Sequence, residues 1–330
     1  MTTQPKRITI VIPNYNGMKF LPDCIDSIEA QTVRDFDVLV VDNASSDDSV
    51  EYLKKRNIPV IQMQQNTGFA AAVNAGILAA TTDYVLLLNN DTKLFPDFIQ
   101  TIESEATIYE KKHFSKKVFS INPMMINMYQ PDIMDDAGDG MNILGYAYQI
   151  GCGESIERHQ KRKEVFSGCG GASLYDRKLL IELGLFDEAH FAYLEDVDVG
   201  YRARLAGYRN VYCPHAKVYH AGSGTTGSKY NDFKVRLSAR NNIYLLYKNQ
   251  PALQLLLNSP FIIAGILLKL AFFSKKGFLR VYISGVLEGL RTCSDRKKAF
   301  IKSPWTCLQI EGQLLVSTFA YFKQRAKLIY

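Results

Sequence analysis

The chain has 330 residues, 47% of them hydrophobic and 22% charged, which is enough apolar material for a large core and excludes an intrinsically disordered or low-complexity chain. Its six cysteines include no Cys-x-x-Cys pair, so reduced structural thiols are expected over disulfides or a zinc site. The net charge of +6 is uneven: the last 80 residues hold twelve Lys/Arg against three Asp/Glu, leaving 27 against 30 before them.

Residues 1–7 are polar and basic, and the apolar run that follows is too short for a signal peptide, so a cytosolic start is expected. Residues 7–13 predict a buried strand, 14–17 a turn and 20–31 a helix. A second strand over 37–42 ends on Asp42, and Ser or Asp caps a helix over 48–56. A short strand at 58–61 is followed by a loop at 66–69 and a small-residue helix over 70–80. A fourth strand over 83–88 ends at Asn89-Asn90-Asp91. Four alternating strands and helices, with near-continuous apolar strands, predict an α/β fold with a parallel sheet covered on both faces. Ligands of such sheets bind beyond the carboxyl ends of the strands, where Asn14, Asp42 and Asp91 fall. No GxGxxG follows the first strand and no GxxxxGK[ST] occurs, so dinucleotide-dependent and P-loop chemistry lack support.

Further on, Glu195, Asp196 and Asp198 put three carboxylates within four residues, just before a run with helical spacing. A carboxylate at a helix N-terminus beside apolar neighbours is held in place and tuned for proton transfer; the plainer alternative is an acidic first turn that complements the helix dipole.

Seven segments resemble family 2 glycosyltransferases of the GT-A fold, in their rhamnosyltransferase-like branch. They are IVIPNYNG (10–17), VVDNASSDDS (40–49), NTGFAAAVNAGI (66–77), LLLNNDT (86–92), FSGCGGASLYDR (166–177), GLFDEAHFAYLEDVDVGYRARLAGY (184–208) and HAGSGT (220–225). The resemblance implies a Rossmann-like, mostly parallel sheet over residues 1–250, with a donor half (about 1–95) and an acceptor half (96–250). It implies inverting transfer of a sugar from a nucleoside diphosphate, with dTDP-rhamnose or a UDP-sugar as donor. The acceptor would be a lipid-linked or nascent surface polysaccharide. Asp196 matches the catalytic base, with Glu195 its neighbour. Asp91 matches the metal position of the DxD motif, although Asn89 stands where the first Asp usually does. His220, 24 residues after Asp196, matches a second metal ligand, and Mg2+ or Mn2+ is implied. Pro13, Asn14, Asn16 and Asp42 match the nucleotide pocket, Asn66 and Gly68 the loop over it, and Asn89 and Asn90 its edge. Arg240 is a candidate for the diphosphate, or else part of a solvated helix face. The retained carboxylates and histidine weigh against the alternative, a catalytically inactive sugar-nucleotide or glycan-binding module.

Residues 253–273 are apolar, but Pro260 and Lys269 interrupt them, so the clean run, 261–268, is short for a membrane span. Lys/Arg interleaved with apolar residues follow, as in helices lying in a membrane interface. A peripheral protein on the inner face of the cell membrane is therefore expected, drawn to anionic lipid and not to nucleic acid. A helical subdomain packed on the sheet, a homodimer through these helices, and a single span are the alternatives.

Overall fold

The structure, a computed structural model, describes residues 6–111, 116–222 and 230–327. Strand β1 (Ile8–Asn14) is buried almost throughout, because both of its faces are covered. It is followed by α1 (Leu21–Glu29), β2 (Phe36–Asp42), α2 (Ser49–Lys55), β3 (Val60–Gln62), α3 (Gly68–Ala79) and β4 (Tyr84–Leu88). These four strands are mutually parallel in the order β4-β1-β2-β3. The period of two sorts their side chains. Ile8, Ile10, Ile12, Leu86 and Leu88 face a core with α1 and α4 (Phe98–Lys111). Val11, Val41, Val85 and Leu87 face a second core with α3.

The second half adds the antiparallel strands that make the sheet mostly, not wholly, parallel. After β5 (Thr92–Leu94) come β6 (Val118–Asn127), β7 (Met134–Asp136), β8 (Asp139–Met141), β9 (Ala147–Gln149), β10 (Lys163–Val165), β11 (Ala172–Asp176), α5 (Arg177–Glu182), α6 (Glu195–Leu205) and β12 (Arg209–His220). The main sheet runs β10-β12-β6-β11-β4-β1-β2-β3, and β11 lies antiparallel between β4 and β6. The sheet is therefore mixed, with helices on both faces. Of the loop expected at 221–228, residues 223–229 lie outside the described residues.

Four helices close the chain: α7 (Asp232–Asn249), α8 (Ala252–Lys275), α9 (Leu279–Thr292) and α10 (Pro304–Lys327). Contrary to the sequence expectation, α8 runs through Pro260 as 24 continuous residues. A helix-interior proline costs about 3 kcal/mol, partly because the carbonyl four residues back loses its donor. Here that carbonyl is Leu256 O, and the Ser259 hydroxyl donates to it at 2.7 Å. Ile262, Ile310 and Leu314 join Leu245, Leu246 and Tyr201 in one core, so the closing helices are docked on the catalytic body.

Candidate active site

The carboxyl ends of β1, β2 and β4 open onto a cleft of about 1230 Å³. One end is walled by Pro13, Asn14, Asn43, Asn66, Gly68, Asn89, Asn90 and Asp91. Asparagines lock this end together. Asn90 Nδ2 donates to Asn14 Oδ1 (2.8 Å), and Asn14 Nδ2 to Asp42 Oδ1 (2.9 Å). Asn43 Nδ2 donates to Asn66 Oδ1 (3.0 Å) and Gly68 O (3.1 Å). Asp42 is only 2% exposed, with its second oxygen on Ser45 N, so it braces the wall from behind, and Asn43 takes the facing position. Asn16 also stands off the wall, accepting from the Ser46 amide and hydroxyl. Gly68 has φ +86° and lies against Phe191, where any Cβ would collide with the ring and carbonyl.

Mid-cleft, the N-terminus of α6 presents Glu195 and Asp196. Asp196 Oδ2 accepts from Gly170 N and Oδ1 from Val197 N, both at 2.8 Å. Gly170 thus explains the small residues at 168–171: the backbone itself cradles the carboxylate. Burial pushes the Asp196 pKa up, and these two amides oppose the rise. Glu195 is buried with Oε2 unpartnered among the described residues, and burial plus the Asp196 charge hold its pKa well above the usual range. Two carboxylates that sequence reasoning missed join them. Asp136 and Asp139 are buried, each with one oxygen unpartnered among the described residues, and Asp139 walls the cleft. Burial holds Asp136 up to about 7 and Asp139 well above its ordinary value. Their signal was three carboxylates in the five residues 135–139.

Asp91 and His220 do meet, Oδ1 to Nε2, at 3.3 Å, brought together by the β5–β12 pairing. A further missed residue, Asp135, holds the other imidazole nitrogen at 2.7 Å. Burial works against the imidazolium, but hydrogen bonds to Asp135 and Asp91 outweigh it and raise the pKa to about 10. This donor set fits a divalent cation: a carboxylate, and an imidazole backed by a second carboxylate. Among the described residues no three His, Cys, Asp or Glu side chains form a ligand cluster, so substrate oxygens and water would supply the remaining positions.

Arg240 does not reach the cleft. Its guanidinium donates to Ala189 O (2.9 Å) and His190 O (3.0 Å) and pairs with Glu288 (3.3 Å). Next to it, Asn241 Nδ2 lies 2.8 Å from each of His190 O, Ala192 O and Tyr193 O. Both residues clamp the loop that precedes the base. That loop needs clamping, because Phe191, Tyr193 and Leu194 all have positive φ, between 62° and 73°. A neighbouring charge network fixes α6 to α7: buried Asp198 binds Arg202 (2.9 Å), Lys248 (3.0 Å) and Asn249 (2.8 Å). Despite burial, Arg202 and Lys248 hold its pKa far below the usual carboxylate range.

The far end of the cleft is closed by Tyr148 and Gln149 of β9 and by Tyr321, Gln324 and Arg325 of α10. Gln324 Nε2 donates to Gln149 O (3.0 Å), and the Tyr148 hydroxyl to Ser317 O (3.1 Å). Nothing in the sequence reading had brought the tail to the site.

The sequence model of Glycosyl transferase family 2 matches residues 9–184, more than half of the chain. The chain belongs to this family. Among family relatives, poly-beta-1,6-N-acetyl-D-glucosamine synthase of Staphylococcus aureus is 25% identical over 229 residues, 67% of this chain and 51% of that protein. Glycosyltransferase GlyA of Streptococcus pneumoniae serotype 4 is 30% identical over 121 residues, 35% of this chain and 17% of that one. The chain thus spans about half the length of the synthase. Of solved structures, S. aureus TarS 1–349 in complex with UDP superposes with a TM-score of 0.54 at 15% identity, covering 82% of this chain and 74% of that one. Mannosyltransferase PcManGT from Pyrobaculum calidifontis, in complex with GDP-Man and Mn2+, gives 0.54 at 14%, covering 87% and 88%. These likenesses are of fold, and the fold of this family 2 chain is GT-A.

Proposed function

We propose that this chain transfers a sugar from a nucleoside diphosphate to an acceptor hydroxyl, with inversion and with Asp196 as the base. The observation that carries this reading is the position of Asp196, held by two backbone amides midway along a cleft large enough for two substrates. The donor lies along the asparagine edge, its diphosphate near Asn89, Asn90 and Asp91. The acceptor enters from the α10 end. As its oxygen attacks the anomeric carbon, the bond from that carbon to the diphosphate oxygen breaks, and the electron pair leaves with the diphosphate. The acceptor proton passes to Asp196 Oδ1 or Oδ2. Burial and the Asp196 charge raise the Glu195 pKa, which disfavours a second negative charge beside Asp196. Asp91 and His220 would hold Mg2+ or Mn2+, which when bound would offset the negative charge developing on the leaving diphosphate. Arg240 and Asn241 act only through the loop, as positioning residues.

The finer reading is a UDP- or dTDP-sugar donor, dTDP-rhamnose first, with a lipid-linked or nascent surface polysaccharide acceptor. UDP in the TarS complex and the polysaccharide product in the synthase's name support it; GDP-Man in the mannosyltransferase is the competing precedent. An inactive sugar-binding module is disfavoured by the intact Asp91–His220–Asp135 chain. The test is hydrolysis of UDP-, dTDP- and GDP-sugars with Mg2+ or Mn2+, with chelator, and with Asp196→Asn. Metal-dependent hydrolysis inhibited best by UDP or dTDP is expected. Full rates in chelator would overturn the metal assignment, tightest inhibition by GDP the uracil or thymine donor, and undiminished turnover by Asp196→Asn the catalytic base. Binding without turnover of any donor would favour the module.

A further inference from the structure

Of the 24 large apolar side chains exposed among the described residues, 18 lie after residue 250. They are ordered. On α8, Leu253, Leu256, Leu257, Phe261, Leu267 and Leu268 recur on the side away from buried Asn258, Ile262 and Gly265. On α10, Trp305, Leu308, Leu315, Val316, Phe319 and Phe322 lie away from buried Thr306, Ile310 and Leu314. The two helices are tied together, Asn258 Nδ2 donating to Glu311 Oε2 at 3.1 Å, so their outer faces form one surface. Such continuous apolar surface is not left to water without a partner. Exposed Lys275, Lys276, Arg280, Arg291, Lys297 and Lys323 accompany it.

We propose that α8, α9 and α10 form a docking face for an anionic lipid leaflet, and that α8 lies in the interface without crossing it. The proposal concerns surface chemistry alone and is independent of the sugar-transfer reading. Charge selects the occupant: a basic, apolar surface complements acidic headgroups over acyl chains, whereas a second copy would set like charges against each other. By length and composition α8 could cross a bilayer. Its inner face forbids it. Gly265 lies against Leu144 O too closely for any Cβ, the Tyr146 hydroxyl donates to Gly265 O, and Lys269 caps the Tyr146 ring at 4.3 Å. Crossing would strip these contacts and carry Asn258 and Lys269 into hydrocarbon. The same α10 that offers Phe319 and Phe322 outward walls the cleft with Tyr321 and Gln324. A lipid-linked acceptor would therefore reach the cleft across one helix width, about 10 Å.

The test is flotation of the full chain with phosphatidylcholine vesicles, with and without about 30% phosphatidylglycerol, for the wild type and for Val316→Glu/Phe319→Glu. The anionic vesicles should bind at least about tenfold more tightly than the neutral ones, more weakly at high salt, and release the protein in alkaline carbonate. The double variant should lose at least about tenfold in binding with an unchanged melting temperature. Equal binding to both vesicles, undiminished binding by the folded variant, resistance to carbonate, or no flotation with a stable dimer in solution would each overturn the proposal. Should the variant fail to fold, the salt and lipid dependence of the wild type decides alone.

Discussion

The two ends of the polar floor are built on opposite principles. At the donor edge, Asn14, Asp42, Asn43, Asn66 and Asn90 satisfy one another, so the wall is complete before any ligand arrives. Around Asp196, buried Asp136, Asp139 and Glu195 each keep an oxygen without a partner among the described residues. An unpaired buried polar atom costs about 1–3 kcal/mol. Three such carboxyls around one carboxylate, each with its pKa raised by burial, mark this floor as a functional-site candidate. The donor edge is fixed in shape by its own hydrogen bonds; around Asp196, burial raises the pKa of Asp136, Asp139 and Glu195 and so disfavours further negative charge beside the base.

The sharpest way to break this contrast is Asp196→Asn, which keeps the Gly170 hydrogen bond but cannot take a proton. Turnover should fall about 10²–10⁴-fold while nucleoside diphosphate competition is unchanged; a parallel loss of diphosphate binding would erase the distinction between the two ends. Next is Asp135→Asn, which alters only the group behind His220. It should weaken metal activation about 10–100-fold, read as the metal concentration for half-maximal rate. Asn241→Ala removes the side-chain donor shared by Ala192 O and Tyr193 O, and one of the donors to His190 O, which keeps Arg240. A stability loss of about 1–3 kcal/mol in urea unfolding is expected, with kcat falling more than the donor KM rises. The smallest effect concerns pH. Burial holds Asp136 up to about 7, so the folded chain keeps a proton that the unfolded chain releases above about pH 4. Its contribution to stability therefore falls as pH rises from about 4 to about 7. Asp136→Asn has no proton to lose, and its melting temperature should overtake the wild type by a few degrees (~2–4 °C per kcal/mol) at pH 8, with the gap closing at pH 5.

The first four strands are legible because each is a short apolar run, and β1, β2 and β4 end on or beside an Asn or Asp; the structure keeps all four within two residues of expectation. Within residues 93–165, β7 to β10 are strands of three residues, too short for periodicity to show; the longer α4 and β6 are not assigned from the sequence either. That blind stretch contains Asp135, Asp136 and Asp139. Asp91 and His220 were found by motif, and the structure brings them into contact. Arg240 was singled out for its charge, but its neighbour Asn241 carries the more specific contacts, and an amide that binds carbonyls leaves no composition signal. Pro260 was read as a helix breaker because the rescue depends on one hydroxyl rotamer, that of Ser259.

Helix α7 touches both functions. Asn241 and Arg240 grip the loop before the base, and the opposite side of the helix meets α9 so closely that Gly285 and Gly289 lie against the backbone of Arg236 and Arg240. Only the short side chain of Ala239 and the stem of Ile243 share that contact, so α7 and α9 are packed nearly backbone to backbone. Bulk added at Gly289, far from any substrate, would thus be felt as a misaligned carboxylate rather than as a weakened pocket.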